Sequence, residues 1–344
     1  MSIRSKMRST RVVKNDSDKE IKSSETGLNN RFNNSVKKVY FPLVVILVAI
    51  MLSLMIHGAG FEFALDFPFN PSRAIEGFLD DSIDWIVITF ADFFDAISDA
   101  IKVVLGKLRD LLIWIPWPVM MGLVFIMAWK IASLRIAIMS VVGLLILATV
   151  NLWDPTMVTV AIMIVSVFLS VFVGIPVGIL AARSDSVDTG IRPILDTMQT
   201  MPSFVYLVPG IMLFGLGNVA AVFATVLYAL PPCIRLTNLG IRQVDPSVVE
   251  AGKSFGSSDM QLLLKIQIPM AIPTIMAGIN QTVMMALAMS TIAAMVGAGG
   301  LGIEVLRAMG QLKEGEAILA GCAIVILAII IDRISQGYVE NRTS

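Results

Sequence analysis

The residues best suited to chemistry in this sequence are few. Gly297-Ala-Gly299-Gly300-Leu-Gly302 has the G-x-G-x-x-G spacing that, between a strand and a helix, lets backbone N–H groups approach a pyrophosphate. Here it follows a long apolar run, so a glycine-rich turn at the outer end of a membrane span is expected instead. No G-x-x-x-x-G-K-[ST] run occurs, so the chain carries no phosphate-cradling loop and is not its own ATPase. Cys233 and Cys322 both lie inside apolar stretches, where small buried residues are expected rather than a disulfide or a metal site. His57 is the single histidine and has no cysteine near it, so no metal site is expected there. The stretches 156–182, 203–231 and 269–303 contain no Asp, Glu, Lys, Arg or His. Proton-driven carriers place an ionisable group at membrane depth, so this absence counts against proton coupling. Sodium coupling through backbone carbonyls stays open.

One polar segment has a shape written into it. Between Asp245 and Pro269 the local rules predict two short helices. Asp245 caps the first, with Pro246 at the first helical position, where its missing N–H costs nothing. Gly256 suits the left-handed residue that ends it. Ser258 and Gln261 have capping-box spacing, and Asp259 sits at the positive end of the second helix. Pro269 and then Pro273 open the following apolar run. A compact helix–turn–helix knob follows from these assignments.

The elements that must position this knob are membrane helices. Of 344 residues, 56% are hydrophobic and 15% charged, with a mean hydropathy of +0.81. That is too little charge for the surface of a soluble protein of this length. The fold class is all-α, a polytopic membrane protein with about eight transmembrane helices. The runs lie near 40–56, 112–129, 134–150, 156–182, 203–217, 218–236, 269–296 and 316–331. Residues 1–38 are too long and polar for a cleaved signal peptide.

Flanking charge sets the expected orientation. The tail 1–38 carries ten Lys or Arg against four acids, whereas 57–111 carries four basic and ten acidic residues. Lys130 and Arg135 flank one short turn, and Arg183 and Arg192 flank another. Cytoplasmic loops collect Lys and Arg, so the tail, both turns, the loop 237–268 and the C-terminus are expected in the cytosol. Residues 72–111 have apolar positions at spacings of three and four, with Asp80, Asp81, Asp84, Asp92, Asp95 and Asp99 among them. One or two amphipathic helices along the outer membrane surface fit that pattern. They serve either as packing against the outer ends of the spans or as a docking surface for a partner. Trp114 and Trp117, interleaved with Pro116 and Pro118, mark entry into the next span.

The pattern Glu-Ala-Ala, three residues, Gly, nine residues, Ile-x-Leu-Pro marks the permeases of ABC importers. This sequence has Glu250-Ala251-Gly252, Gly256 and Ile266-Gln267-Ile268-Pro269 at that spacing. It departs in having Gly252 for the second Ala and Ile268 for Leu; both keep the position small or aliphatic. Arg192–Pro209, Ala229–Arg235, Pro273–Gln281 and Gly299-Gly-Leu-Gly302 further resemble the permeases of glycine betaine/proline betaine importers. The resemblance covers roughly residues 110–338.

That resemblance implies a type I ABC importer permease fold, with the core at 154–335 and the coupling loop at 245–269. The apolar runs place a first transmembrane helix at 39–57, two more within 112–153, and a cytoplasmic C-terminal tail at 336–344. The implied partners are cytosolic ABC ATPase subunits, which bind ATP and Mg, an extracytoplasmic substrate-binding protein, a second permease copy and the lipid membrane. No cofactor in this chain, no metal and no nucleic acid is implied. Glu250, Ala251, Gly252, Gly256, Ile266 and Pro269 are the residues assigned to ATPase coupling. Quaternary ammonium groups are held best by aromatic faces, yet all five Trp residues end at Trp153, ahead of the core. The core offers Phe204, Tyr206, Phe214, Phe223 and Tyr228, with Asn280 and Gln281 as polar groups; Phe204, Tyr206, Tyr228, Asn280 and Gln281 are assigned to a translocation path. Helix packing is the alternative for those aromatic residues. Glycine betaine, choline, carnitine, proline betaine and trimethylamine N-oxide all fit as solutes. A secondary carrier working without ATP is the competing class, and it leaves the coupling loop unexplained.

Overall fold

The computed structural model describes residues 42–58 and 71–343, with side-chain surroundings as far as Gly337. The basic tail 1–38 and the acidic Glu62 and Asp66 lie outside the described residues. Every regular element among the described residues is helical. The chain divides at Asp80/Asp81 into two units. The first contains α1 (Pro42–Gly58) and the start of α2 (Ser72–Thr89), a helix with no buried residue.

The second unit continues with α3 (Ala91–Trp114), α4 (Trp117–Ile131), α5 (Leu134–Thr149), α6 (Trp153–Arg183), α7 (Asp185–Thr200) and α8 (Leu207–Phe214). It ends with α9 (Asn218–Arg242), α10 (Pro246–Ser254), α11 (Asp259–Leu262), α12 (Ile268–Ile292), α13 (Leu301–Gly310) and α14 (Glu314–Thr343). The central layer is α6, α9 and α12. Lipid gives helices no hydrophobic reason to associate, so close packing of small residues has to hold them. Gly174 and Gly178 of α6 do this against α9: a β-carbon on Gly178 would stand 2.6 Å from Thr237 Cβ and 2.8 Å from the Ile234 carbonyl oxygen. Gly278 of α12 faces Leu236 and the Pro232 carbonyl, and the Thr282 hydroxyl donates to the Ala229 carbonyl at 3.0 Å. Outside this layer α5 and α14 pack together through Gly143, which faces Ile326 and Ile330.

Among the described residues, α6, α9, the continuous run Asp259–Val296 and Glu314–Gly337 are each long and apolar enough to cross a membrane alone. α3 and α4 meet at a 102° bend beside Pro116, so the expected span near 112–129 begins at Trp117. α3 buries Leu105 against the α6 side of the core, and Phe94 meets Phe214 of α8 edge to face at 5.9 Å.

The expected span at 203–217 needs correction. It resolves into a 3-10 turn, Ser203–Tyr206, and the short α8, ending at Gly215. Twelve residues reach about 18 Å, short of the roughly 30 Å hydrocarbon layer. The polar α7 supplies the missing length. From Asp185 to Phe214 the chain runs antiparallel along α9: Asp185 meets Arg242, Asp188 meets Asn238, Tyr206 meets Tyr228, and Phe214 meets Phe223. α6 and α9 therefore run parallel, joined by a return built from two helices broken at Pro202.

Candidate functional site

The knob forms where its capping residues require. The Asp245 carboxylate accepts from the Ser247 N–H at 2.8 Å, and this bond holds its pKa below the usual aspartate range. α10 ends as expected at Gly256, whose φ of +78° is left-handed. The Ser257 N–H reaches back to the Gly252 carbonyl at 3.2 Å and the Gly256 N–H to that of Lys253 at 2.9 Å. Ser258 and Gln261 form the reciprocal capping box: the Gln261 N–H donates to Ser258 Oγ at 3.3 Å, and the Ser258 N–H donates to Gln261 Oε1 at 3.0 Å.

The second helix of the knob does not stop before the next span, as the sequence reading had it. It runs on through a wide turn, Leu263–Gln267, in which the Ile268 N–H bonds the Leu263 carbonyl, straight into α12. The wide turn lies immediately ahead of Pro269, which has no N–H to continue the ladder. The knob and the central helix α12 are thus one continuous rod.

The assigned coupling residues divide by exposure. Gly252 is buried, facing Ile266 Cδ1 and Leu262 Cδ1, which locks α10 onto the rod. Ile266 is half-buried; Glu250, Ala251, Gly256 and Pro269 are exposed. Glu250 borders a cleft of about 590 Å³ shared with Arg183, Arg242, Lys253 and Asp259, between the knob and the ends of α6 and α9. The sequence reading missed Phe255, which stands 89% exposed where α10 turns; Met260 and Leu264 of the same knob are exposed as well. Its signal was available: a large apolar residue immediately ahead of the glycine that ends a capped helix has nowhere to bury.

Of the five residues assigned to a path, the structure brings Tyr206 and Tyr228 together, ring centroids 5.7 Å apart and edge to face. Tyr206 belongs to the core, its hydroxyl donating to the Met198 carbonyl. Phe204 and Gln281 are exposed, and Asn280 is half-buried with its Oδ1 unpartnered. The glycine-rich turn lies at the far end of α12 from the knob. Gly300, with φ +100°, sits against Thr159 of α6, whose hydroxyl accepts from the Leu301 N–H at 2.8 Å. The Gly299 N–H donates to Asn218 Oδ1 at 2.9 Å. Backbone donors are thus used to tie α6, α9 and α12 together, leaving no cradle for a nucleotide.

Comparison with known proteins agrees with this geometry. The family model described as binding-protein-dependent transport system inner membrane component matches residues 174–344, which include the knob. The glycine betaine/proline betaine transport system permease protein ProW of Escherichia coli (strain K12) is 44% identical over 262 residues, 76% of this chain and 74% of that protein. The glycine betaine transport system permease protein OpuAB of Bacillus subtilis (strain 168) is 45% identical over 275 residues, 80% of this chain and 97% of that one. A chain of the inward-facing MetNI methionine ABC transporter shares the fold, with a TM-score of 0.50 at 23% identity over 54% of this chain and 93% of that one. A chain of apolar helices that carries a capped knob on its central rod, with these relatives, belongs to the family of binding-protein-dependent transport system inner membrane components.

Proposed function

We propose that this chain is the membrane subunit through which an ATP-driven importer carries glycine betaine or a related quaternary ammonium solute. The observation that carries the reading is the knob: an exposed Phe255 on a fully capped turn, continuous through Leu263–Gln267 with the central helix α12. A free apolar tip on a rigid mount suits insertion into a groove of a cytosolic ATPase subunit, and Glu250 stands exposed beside it. ATP and Mg bind to that partner, and closure of two ATPases moves two knobs and switches two permease copies between inward- and outward-facing states. The knob end faces the cytosol, as Lys130 and Arg135 at the α4–α5 turn and Arg183 at the end of α6 support, and both termini lie on that side. An extracytoplasmic binding protein delivers the solute at the glycine-turn end. Specificity resides mainly in that protein, and the permease contributes a weakly interacting path along Phe204, Tyr206, Tyr228, Asn280 and Gln281.

Cross-linking tests the docking. With Phe255→Cys in the purified complex, a short reagent with one thiol-reactive and one photoactivated end joins the knob to the ATPase subunit, and Glu250→Ala weakens co-purification of that subunit. Absence of any knob-to-ATPase cross-link, in a complex that hydrolyses ATP, defeats the reading. Titrating glycine betaine into the partner binding protein by calorimetry tests the solute.

A further inference from the structure

Arg242, the last residue of α9, joins three helices through one side chain. Its Nε donates to Asn238 Oδ1 at 2.9 Å, one terminal nitrogen to Asp185 Oδ1 at 2.7 Å, and the other to the Ala181 carbonyl at 2.8 Å. Ala181 lies in the last turn of α6, where carbonyls lack helical partners. Asp185 lies in the first turn of α7. Asp188, one turn further along α7, has only 6% of its side chain exposed and accepts from Arg192 at 2.5 Å and from Asn238 Nδ2 at 2.7 Å. Its second contact with α9 is Arg242, at 3.8 Å.

A carboxylate this buried stays charged only with such partners, and its bonds have fixed directions. The start of α7 is therefore locked to the end of α9. The position of the lock in the chain gives it a further role. Arg242 is followed by two residues and then by Asp245, the cap of the knob. At its other end α7 leads through Pro202 into the turn carrying Phe204 and Tyr206. This joint gives a displacement of the knob one path to that turn, beside the direct contacts that α9 and α12 make with it.

We propose that Arg242 and Asp188 are positioning residues that transmit knob movement to the broken return α7–α8. This rests on the proposed function, because it requires an ATPase to move the knob. α12 carries the knob's motion directly into the central layer and touches the Ser203–Tyr206 turn; the Arg242–Asp188 joint carries it into the start of α7, and Arg235 with Asp196 ties the later part of α7 to α9.

The test uses the complete complex of permease, ATPase and binding protein in proteoliposomes, with Cys322→Ala to remove the exposed thiol. Spin labels at Ser257→Cys on the knob and Gln199→Cys on α7 report movement when ATP and vanadate trap the ATPases closed. In the parent complex both labels shift. With Arg242→Gln the knob label still shifts, the α7 label shifts less than in the parent because only Asn238 and the Arg235–Asp196 pair still tie α7 to α9, and radiolabelled glycine betaine imported per ATP falls about tenfold while ATP hydrolysis continues. Asp188→Asn, which keeps the shape and removes the charge, gives the same pattern if Arg242→Gln fails to assemble. A full α7 shift with parental uptake per ATP in either assembled variant overturns the joint. A parent complex whose ATPase never engages the knob defeats the proposed function instead, and that result is read from the Ser257 label alone.

Discussion

Gly252 lies so close to the rod of the knob that a β-carbon on it would stand 2.6 Å from Ile266 Cδ1 and 2.8 Å from Leu262 Cδ1. Both neighbours are the far ends of flexible side chains, so they yield to one added carbon. Gly252→Ala is therefore expected to fold and to retain ATPase binding, helped by about 1 kcal/mol of helix propensity. Gly252→Leu overpacks the same place and costs about 1–3 kcal/mol. Thermal unfolding in detergent and co-purification with the ATPase separate the two variants; equal behaviour contradicts the packing.

Gly256 holds φ +78°, a conformation costing a residue with a β-carbon about 1–2 kcal/mol. Gly256→Val is expected to insert in the membrane and bind the binding protein normally, while solute uptake per ATP falls. Comparing uptake and hydrolysis in the same proteoliposomes checks this. Normal transport in the valine variant removes the turn from the coupling account.

The capping box at Ser258 satisfies the backbone N–H groups of Ser258 and Gln261. Ser258→Ala is expected to cost about 1 kcal/mol locally and to raise hydrogen exchange at residues 259–262, leaving α6 and α9 unchanged. Exchange measured by mass spectrometry on peptides covering both regions decides the matter.

Asp245 gives the knob a pH dependence of known sign. Its bond from the Ser247 N–H lowers its pKa in the folded chain, so the cap is fully present above the ordinary aspartate range. The contribution is lost as pH falls through the lowered value. Protection of the Ser247 amide, corrected for intrinsic exchange, should be flat at neutral pH and fall only in strong acid. Asp245→Asn should keep the cap and abolish the dependence.

Gly178 admits no such relief as Gly252, because one of its neighbours is the Ile234 backbone carbonyl, 2.8 Å from the site of a β-carbon. Even Gly178→Ala should separate α6 from α9 and lower thermal stability by about 1–3 kcal/mol. An unchanged melting curve contradicts the close packing described here.

What the sequence disclosed was local. Asp245, Gly256 and the Ser258–Gln261 box act over two to four residues, so their spacing alone predicted the knob. Long-range geometry stayed hidden. Asp188 meets Asn238 across 50 residues, and Arg242 meets the Ala181 carbonyl across 61, with no local pattern to link them. The 203–217 span misled for a related reason. Hydropathy scores composition, and it does not see that Pro202 and Gly215 bound a short helix completed by the polar α7. Nor could spacing reveal that the knob runs unbroken into α12, since Pro269 reads as the start of a new helix.

The central claim, that this membrane subunit draws its energy through the knob, is tested most directly by solute uptake into proteoliposomes. Glycine betaine should accumulate only when ATPase, ATP and binding protein are all present, and should fail to accumulate in Phe255→Asp with the fold intact. Accumulation by this chain alone, without an ATPase, would contradict it.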